Sequence, residues 1–222
     1  MTYKIFPLVF AGALAASCGG NSTEGVEVDA ADATDVAAPV GQATVYNVQP
    51  EASSIAWTGG KLVGGDEHTG TLSITEGRLA VQGDDITAGD FTVDMNSLTV
   101  TDLDENSGKS KLEGHLKNED FFESNTYPTS TFEITRVEPV TGEPGVTHRL
   151  TGNLTMKGVA KEVTIPANVT VTGDRITANT PAFEIDRQQW GIQYGSGALG
   201  LAQDKIIKDE MVLEIDLVAT RG

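Results

Sequence analysis

The chain of 222 residues holds a single cysteine, Cys18. That excludes an intramolecular disulfide and leaves the body of the chain without a thiolate for zinc or for nucleophilic chemistry. Basic residues are scarce, with 15 Lys and Arg against 32 Asp and Glu and a formal charge of −17. So acidic a chain repels phosphate backbones and anionic headgroups, which argues against nucleic acid as a partner. The only three histidines, His68, His115 and His148, show no metal-ligand spacing, so no metal site is expected. Aromatic residues make up only 6% of the chain. Long helical patterns are also rare, and without helices between strands a parallel βαβ sheet is excluded.

What is present begins with an export address. Lys4 is the only charged side chain in residues 1–17, and the apolar run Ile5 to Ala16 follows it. That run is well short of the roughly 20 residues needed to span a bilayer and fits a secretory signal peptide over residues 1–17. Leu14-Ala15-Ala16-Ser17-Cys18 resembles a bacterial lipobox, with its leucine one place earlier than usual. The resemblance implies cleavage before Cys18, acylation of its sulfur and anchorage in the cell envelope. With no aspartate after Cys18, it further implies the outer membrane. An odd cysteine in an exported protein calls for such an explanation, and two or more acyl chains anchor stably. Residues 18–43 then read as a disordered acidic tether, with Glu24, Glu27, Asp29, Asp32 and Asp35 unbalanced by any basic residue.

From residue 44 to 222 alternation dominates. Val163, Ile165, Ala167, Val169 and Val171 keep strict period two, as do Met211, Leu213, Ile215, Leu217 and Ala219. Similar patterns cover Ser54 to Thr58, Gly89 to Met95, Ser130 to Val137 and His148 to Lys157, and a hairpin is expected around Glu76-Gly77. The fold class is all-β, an antiparallel sheet closed as a barrel or paired as a sandwich to hide its edges. One short helix is expected from about Asn106 to Asp120, with Leu112 and Leu116 facing inward together.

Several chemical signatures fail on context. Asp102 to Glu113 echoes a calcium loop but carries Ser107 where glycine is needed and follows a strand. Gly195 to Gly200 spells a dinucleotide fingerprint with too little chain after it for a βαβ unit. No nucleophile elbow is present. Trp57, Trp190, Phe91, Phe132 and Phe183 either line a cavity or fill a core, and an eight-stranded barrel has room for one slender ligand.

Three ordered motifs carry a resemblance. They are His115-Leu116-Lys117-Asn118-Glu119-Asp120-Phe121-Phe122 with Tyr127-Pro128 and Phe132, then Leu154-Thr155 through Gly158, Lys161, Val163-Thr164 and Pro166, then Phe183, Ile185, Arg187 and Trp190-Gly191. Over nearly all of Val45 to Val218 the chain resembles the YceI-like family of lipid- and polyisoprenoid-binding domains. The resemblance implies a lipocalin-like antiparallel barrel with one short helix and an elongated apolar pocket. It also implies a prenyl lipid or isoprenoid quinone as ligand, no cofactor and no established catalytic residue. By pattern, Phe121, Phe122, Phe132, Met156, Phe183 and Trp190 are the ligand-binding candidates that line the pocket. Arg187 either meets a polar head group or closes a structural ion pair, and His115 is assigned to packing of the helix. The resulting expectation is non-catalytic sequestration or transport of a long apolar lipid, released by opening of loops such as Gly195 to Gly200. A solidly packed envelope protein and an enzyme acting on a buried lipid are the alternatives. The oligomeric state stays open, a dimer included.

Overall fold

The computed structural model describes residues 25–36 and 43–222. The proposed signal peptide, Cys18 and the rest of the proposed tether lie outside the described residues. Among the described residues twelve strands form one sheet. The chain opens with β1 (Val26–Glu27), β2 (Ala30–Asp32), β3 (Thr44–Val48), β4 (Ser54–Gly60), β5 (Glu67–Gln82) and β6 (Asp85–Val100). The helix α1 (Lys109–Lys117) comes next. After it run β7 (Thr129–Pro139), β8 (His148–Met156), β9 (Val159–Thr172), β10 (Arg175–Asn179), β11 (Phe183–Asp186) and β12 (Glu210–Arg221).

Antiparallel ladders run β4–β5–β6–β7–β8–β9–β10–β12, and β12 returns to β4, pairing Leu213 with Trp57 and Ile215 with Ile55. The sheet is therefore a closed eight-position barrel, which leaves no free edge around the ring. Two positions are shared by two strands each. β3 extends β4 at one end, pairing with β5 and with the tail of β12. β10 and β11 both pair with β12, β10 along its C-terminal half and β11 along its N-terminal half.

The hairpin expected at Glu76-Gly77 is instead the middle of one long strand. β5 continues through a register shift between Ile74 and Glu76, and the chain turns at Gly83 and Asp84. Such a bulge adds a residue and sharpens the strand's bend, which a small barrel needs. A Cβ on Gly77 would fall 2.8 Å from side-chain atoms of both Val48 and Phe91, so that site is close packing rather than a turn.

The acidic tether also differs from expectation. Residues 25–36 dock on the barrel: β1 pairs in parallel with β11, and β2 pairs antiparallel with β9. Among the described residues β9 and β11 share no ladder of their own. The two short strands fill the opening between them. Val28 is buried in a second core with Met156, Val163, Ile165, Phe183, Ile185 and Trp190. Lys161 donates to Asp32 at 2.9 Å, and Thr34 N–H donates to Asn153. The segment's acidic composition hid two small apolar residues, Val28 and Ala30, that supply its docking face.

Candidate functional site

Inward-facing positions alternate along every strand of a small barrel, so its filling is decided residue by residue. Here the inward side chains stop short of one another and leave the interior hollow. A cavity of about 370 Å³ runs down the barrel, within the range of known ligand pockets. Ile74, Leu79, Ile86, Val169, Ala178 and Leu217 line it toward the end away from α1. Phe91, Phe132, Leu150, Ile165 and Leu213 line its middle. Phe91 and Phe132 stack with ring centroids 6.4 Å apart, an offset that covers one wall with aromatic surface. Gly152 makes room for the Phe132 ring, since a Cβ there would sit 2.6 Å from it.

The other end is capped by α1 and the residues after it. Asp104 caps the turn before the helix by accepting from Ser107 N–H at 2.7 Å. The Glu113 carboxylate accepts from Val100 N–H at 2.9 Å and so fixes the helix to the end of β6. Asp102 meanwhile accepts from Thr69 N–H at 2.9 Å and pairs with His68 at 2.8 Å. The carboxylates of the calcium-like stretch are thus committed to separate structural partners. Leu112 and Leu116 face inward as their spacing predicts, and Phe121 and Phe122 follow them onto the cavity wall. His115 packs edge-on against Phe121 at 5.0 Å and Tyr194 at 4.8 Å and pairs with Asp120.

Five of the six residues singled out from the sequence as pocket lining, Phe121, Phe122, Phe132, Met156 and Phe183, stand on the cavity wall. Trp190 does not. It closes the turn after β11, where Gly191 caps the turn in a left-handed conformation, and its indole fills the second core behind the wall. Its N–H donates to Leu154 carbonyl oxygen at 3.0 Å, a bond that a side chain facing an apolar cavity would forgo. Trp57 takes a place on the wall instead. Its ring edge lies against Gly70, where a Cβ would fall 2.4 Å from the indole, and its N–H has no acceptor among the described residues.

Arg187 reaches the cavity end but is bound up in backbone. Its guanidinium donates to the carbonyls of Lys208, Ile192 and Ile207 and to the Asp209 carboxylate at 2.9 Å. Burial pushes its pKa below the usual arginine range, against the opposing pull of Asp209. Phe121 lies against it, with the guanidinium carbon 5.9 Å from the ring centre. Arg187 therefore holds the 187–209 loop onto the barrel and has most of its donors spent.

Sequence reading passed over the rim. Lys61, Asp66, His68, Lys208 and Glu210 edge the cavity where β4, β5 and β12 end. Lys61 pairs with Asp66 at 2.9 Å and Lys208 with Glu67 at 2.8 Å. Their hydrogen bond raises the Lys61 pKa and lowers that of Asp66. Burial alone would raise Asp102, but hydrogen bonds from His68 and Thr69 outweigh it and hold the carboxyl below its ordinary value. His68 continues the inward row of Leu72 and Gly70, a period-two signal carried by the sequence itself.

The fold has known counterparts. The crystal structure of BcnA from Burkholderia cenocepacia aligns with a TM-score of 0.57 at 22% identity, over 78% of this chain and 99% of that one. A polyisoprenoid-binding domain from Saccharophagus degradans aligns with a TM-score of 0.56 at 17% identity, over 81% and 99%. A UPF0312 protein of Pseudomonas aeruginosa is 33% identical over 93 residues, 39% of this chain and 47% of the relative. Protein YceI of Shigella flexneri is 28% identical over 134 residues, 60% of each chain. The chain thus matches only about half to three fifths of these curated relatives' length. The model of the YceI-like domain matches residues 46–219, the barrel with its cap and rim, and by that match the chain belongs to the YceI-like family.

Proposed function

We propose that this protein sequesters a polyisoprenoid or similar long-chain apolar lipid in the cell envelope, without covalent chemistry. The observation that carries this reading is the cavity. About 370 Å³ of space is walled along its length by aliphatic and aromatic side chains, and the charged groups gather at the rim. An apolar chain moved there from water gains roughly 25 cal/mol per Å² of apolar surface buried. A slender branched chain fits a barrel of eight strand positions better than a broad ligand does. The description of the Saccharophagus relative as polyisoprenoid-binding agrees with this chemistry.

The hollow interior weighs against a solidly packed structural barrel, because side chains do not meet across its centre. Catalysis has little support in the deep wall, where Leu, Ile, Val and Phe leave no acid or base for proton transfer. The acylated Cys18 belongs to the same proposal and places the protein on a membrane of the envelope, most simply the outer one.

The test is mass spectrometry of the organic extract from the full chain purified gently from a bacterial envelope. Acyl groups bonded to Cys18 stay with the protein, so the extract reports the cavity alone. A prenyl lipid near one per chain is the expected result. An empty extract, from a protein that also takes up no added prenyl quinone, rejects the reading.

A further inference from the structure

Two loops form the cavity rim. One joins β4 to β5 across residues 61–66, and the other runs through residues 193–209 ahead of β12. They are knitted together: Leu62 N–H donates to Ile206 carbonyl oxygen at 2.9 Å, Lys61 bridges Ile207, and Lys208 N–H donates to Gly60 at 2.9 Å. Ile207 N–H donates to Gly195 at 2.8 Å, which folds the second loop back on itself. Arg187 holds its base from below.

This ledge is polar where it is bonded and apolar where it is bare. Eight large hydrophobic residues are exposed among the described residues, and five of them are on these two loops. They are Leu62, Val63, Tyr194, Leu199 and Leu201, with Leu199 at 57% and Leu62 at 53% exposure. Isolated exposed hydrophobics are ordinary, but a group of them on one rim marks an interaction surface. Their position beside the opening of an apolar cavity indicates what they meet. A lipid crossing water to reach that opening would lose the burial that drives binding.

We infer that the two loops are a lip that seats the cavity mouth in the surface of a lipid bilayer, so that the ligand passes between membrane and barrel without crossing water. This rests on the reading of the cavity as a lipid site. A chain of net charge −17 is repelled by anionic headgroups, so the apolar tips must carry the contact and the surface that suits them is zwitterionic. The path of the N-terminal segment agrees. Gly25 N–H donates to the Glu184 side chain at 2.8 Å, and β11 ends at Asp186, next to the arginine that grips the ledge. Because β1 runs parallel to β11 and pairs Val26 with Phe183, the docked segment starts a few residues below the lip and runs toward it. Residues 18 to 25 extend up to about 25 Å, enough for an anchor at Cys18 to reach back to a membrane at the lip.

The test places an indole on the lip by Leu199→Trp in the full chain and reads its emission as the difference from the unsubstituted protein. Phosphatidylcholine vesicles, with and without brominated acyl chains, are the probe. The lip indole is expected to shift to the blue and to be quenched by bromine. The control Val45→Trp, on β3 at the opposite end of the barrel, is expected to do neither. Adding Leu62→Asp should abolish the lip signal. It should also slow exchange of a prenyl quinone between vesicles at least tenfold, with equilibrium retention unchanged. No shift at the lip, or equal shifts at both ends, overturns the proposal. So does a shift that grows with protein concentration in the absence of vesicles, which would make the occupant a second copy of the chain. Retained lipid without a lip signal sinks the lip alone. A lip signal from a chain that holds no lipid sinks the cavity reading alone.

Discussion

Arg187 shows how residue type alone leaves a role open. A lone arginine in an apolar motif suits a head-group ligand or a structural ion pair, and in the fold four of its five N–H donors go to three carbonyls and Asp209. Methionine has a similar length and no donors, so Arg187→Met takes the donor from those carbonyls and leaves the partly buried Asp209 carboxylate with the Ser196 hydroxyl but no cation. Breaking a buried pair from one side costs about 3–5 kcal/mol, and the loss should appear as a lower urea midpoint for the purified variant. Arg187→Lys should recover only part of it, because an ammonium cannot supply the planar fork. A midpoint within error of the wild type would show that the arginine is free for another role. Trp190 carries the opposite lesson. Its motif placed it correctly in sequence, but which side of the barrel wall it occupies depends on the turn at Gly191 and on the Leu154 carbonyl it finds.

At the scale of elements, period-two alternation located most of the strands because one face of each is buried. It failed in two places for identifiable reasons. A bulge in β5 shifts the alternation partway along the strand, so a continuous strand reads as two. β1 and β2 are too short to show a period, and their pairing depends on an opening between β9 and β11 that local sequence does not encode. Their docking supports a direct prediction. Val28→Asp puts a carboxylate into the second core, and the segment should detach rather than bury the charge. The loss is then limited to the docking energy, about 1.5–3 kcal/mol for one valine's burial. Hydrogen exchange should show the amides of residues 26–32 losing protection while those of β5 to β8 keep theirs. Uniform loss across the barrel would mean that the segment is integral to the fold.

At the scale of the molecule, a barrel has no edge to aggregate through, and this one encloses a cavity with its openings at the rim. The proposed anchor at Cys18 supplies most of the membrane affinity, since a few apolar side chains at loop tips bind only weakly and reversibly. Cys18→Ala is therefore expected to move the protein from the membrane fraction to the soluble fraction after export. Unchanged membrane association would remove the anchor from the proposal. Composition and alternation determined by themselves that this is an acidic, all-β chain with one short amphipathic helix and paired phenylalanines beside it. Those properties rest on local periodicity and on sums over residues, which need no partner to be read. Whether the barrel is hollow, which aromatic faces the hollow, where the N-terminal segment docks and which hydrophobics are left bare on the rim were decided only by tertiary structure. Each depends on which distant side chain or carbonyl occupies the facing position, and that is set when the ring of strands closes.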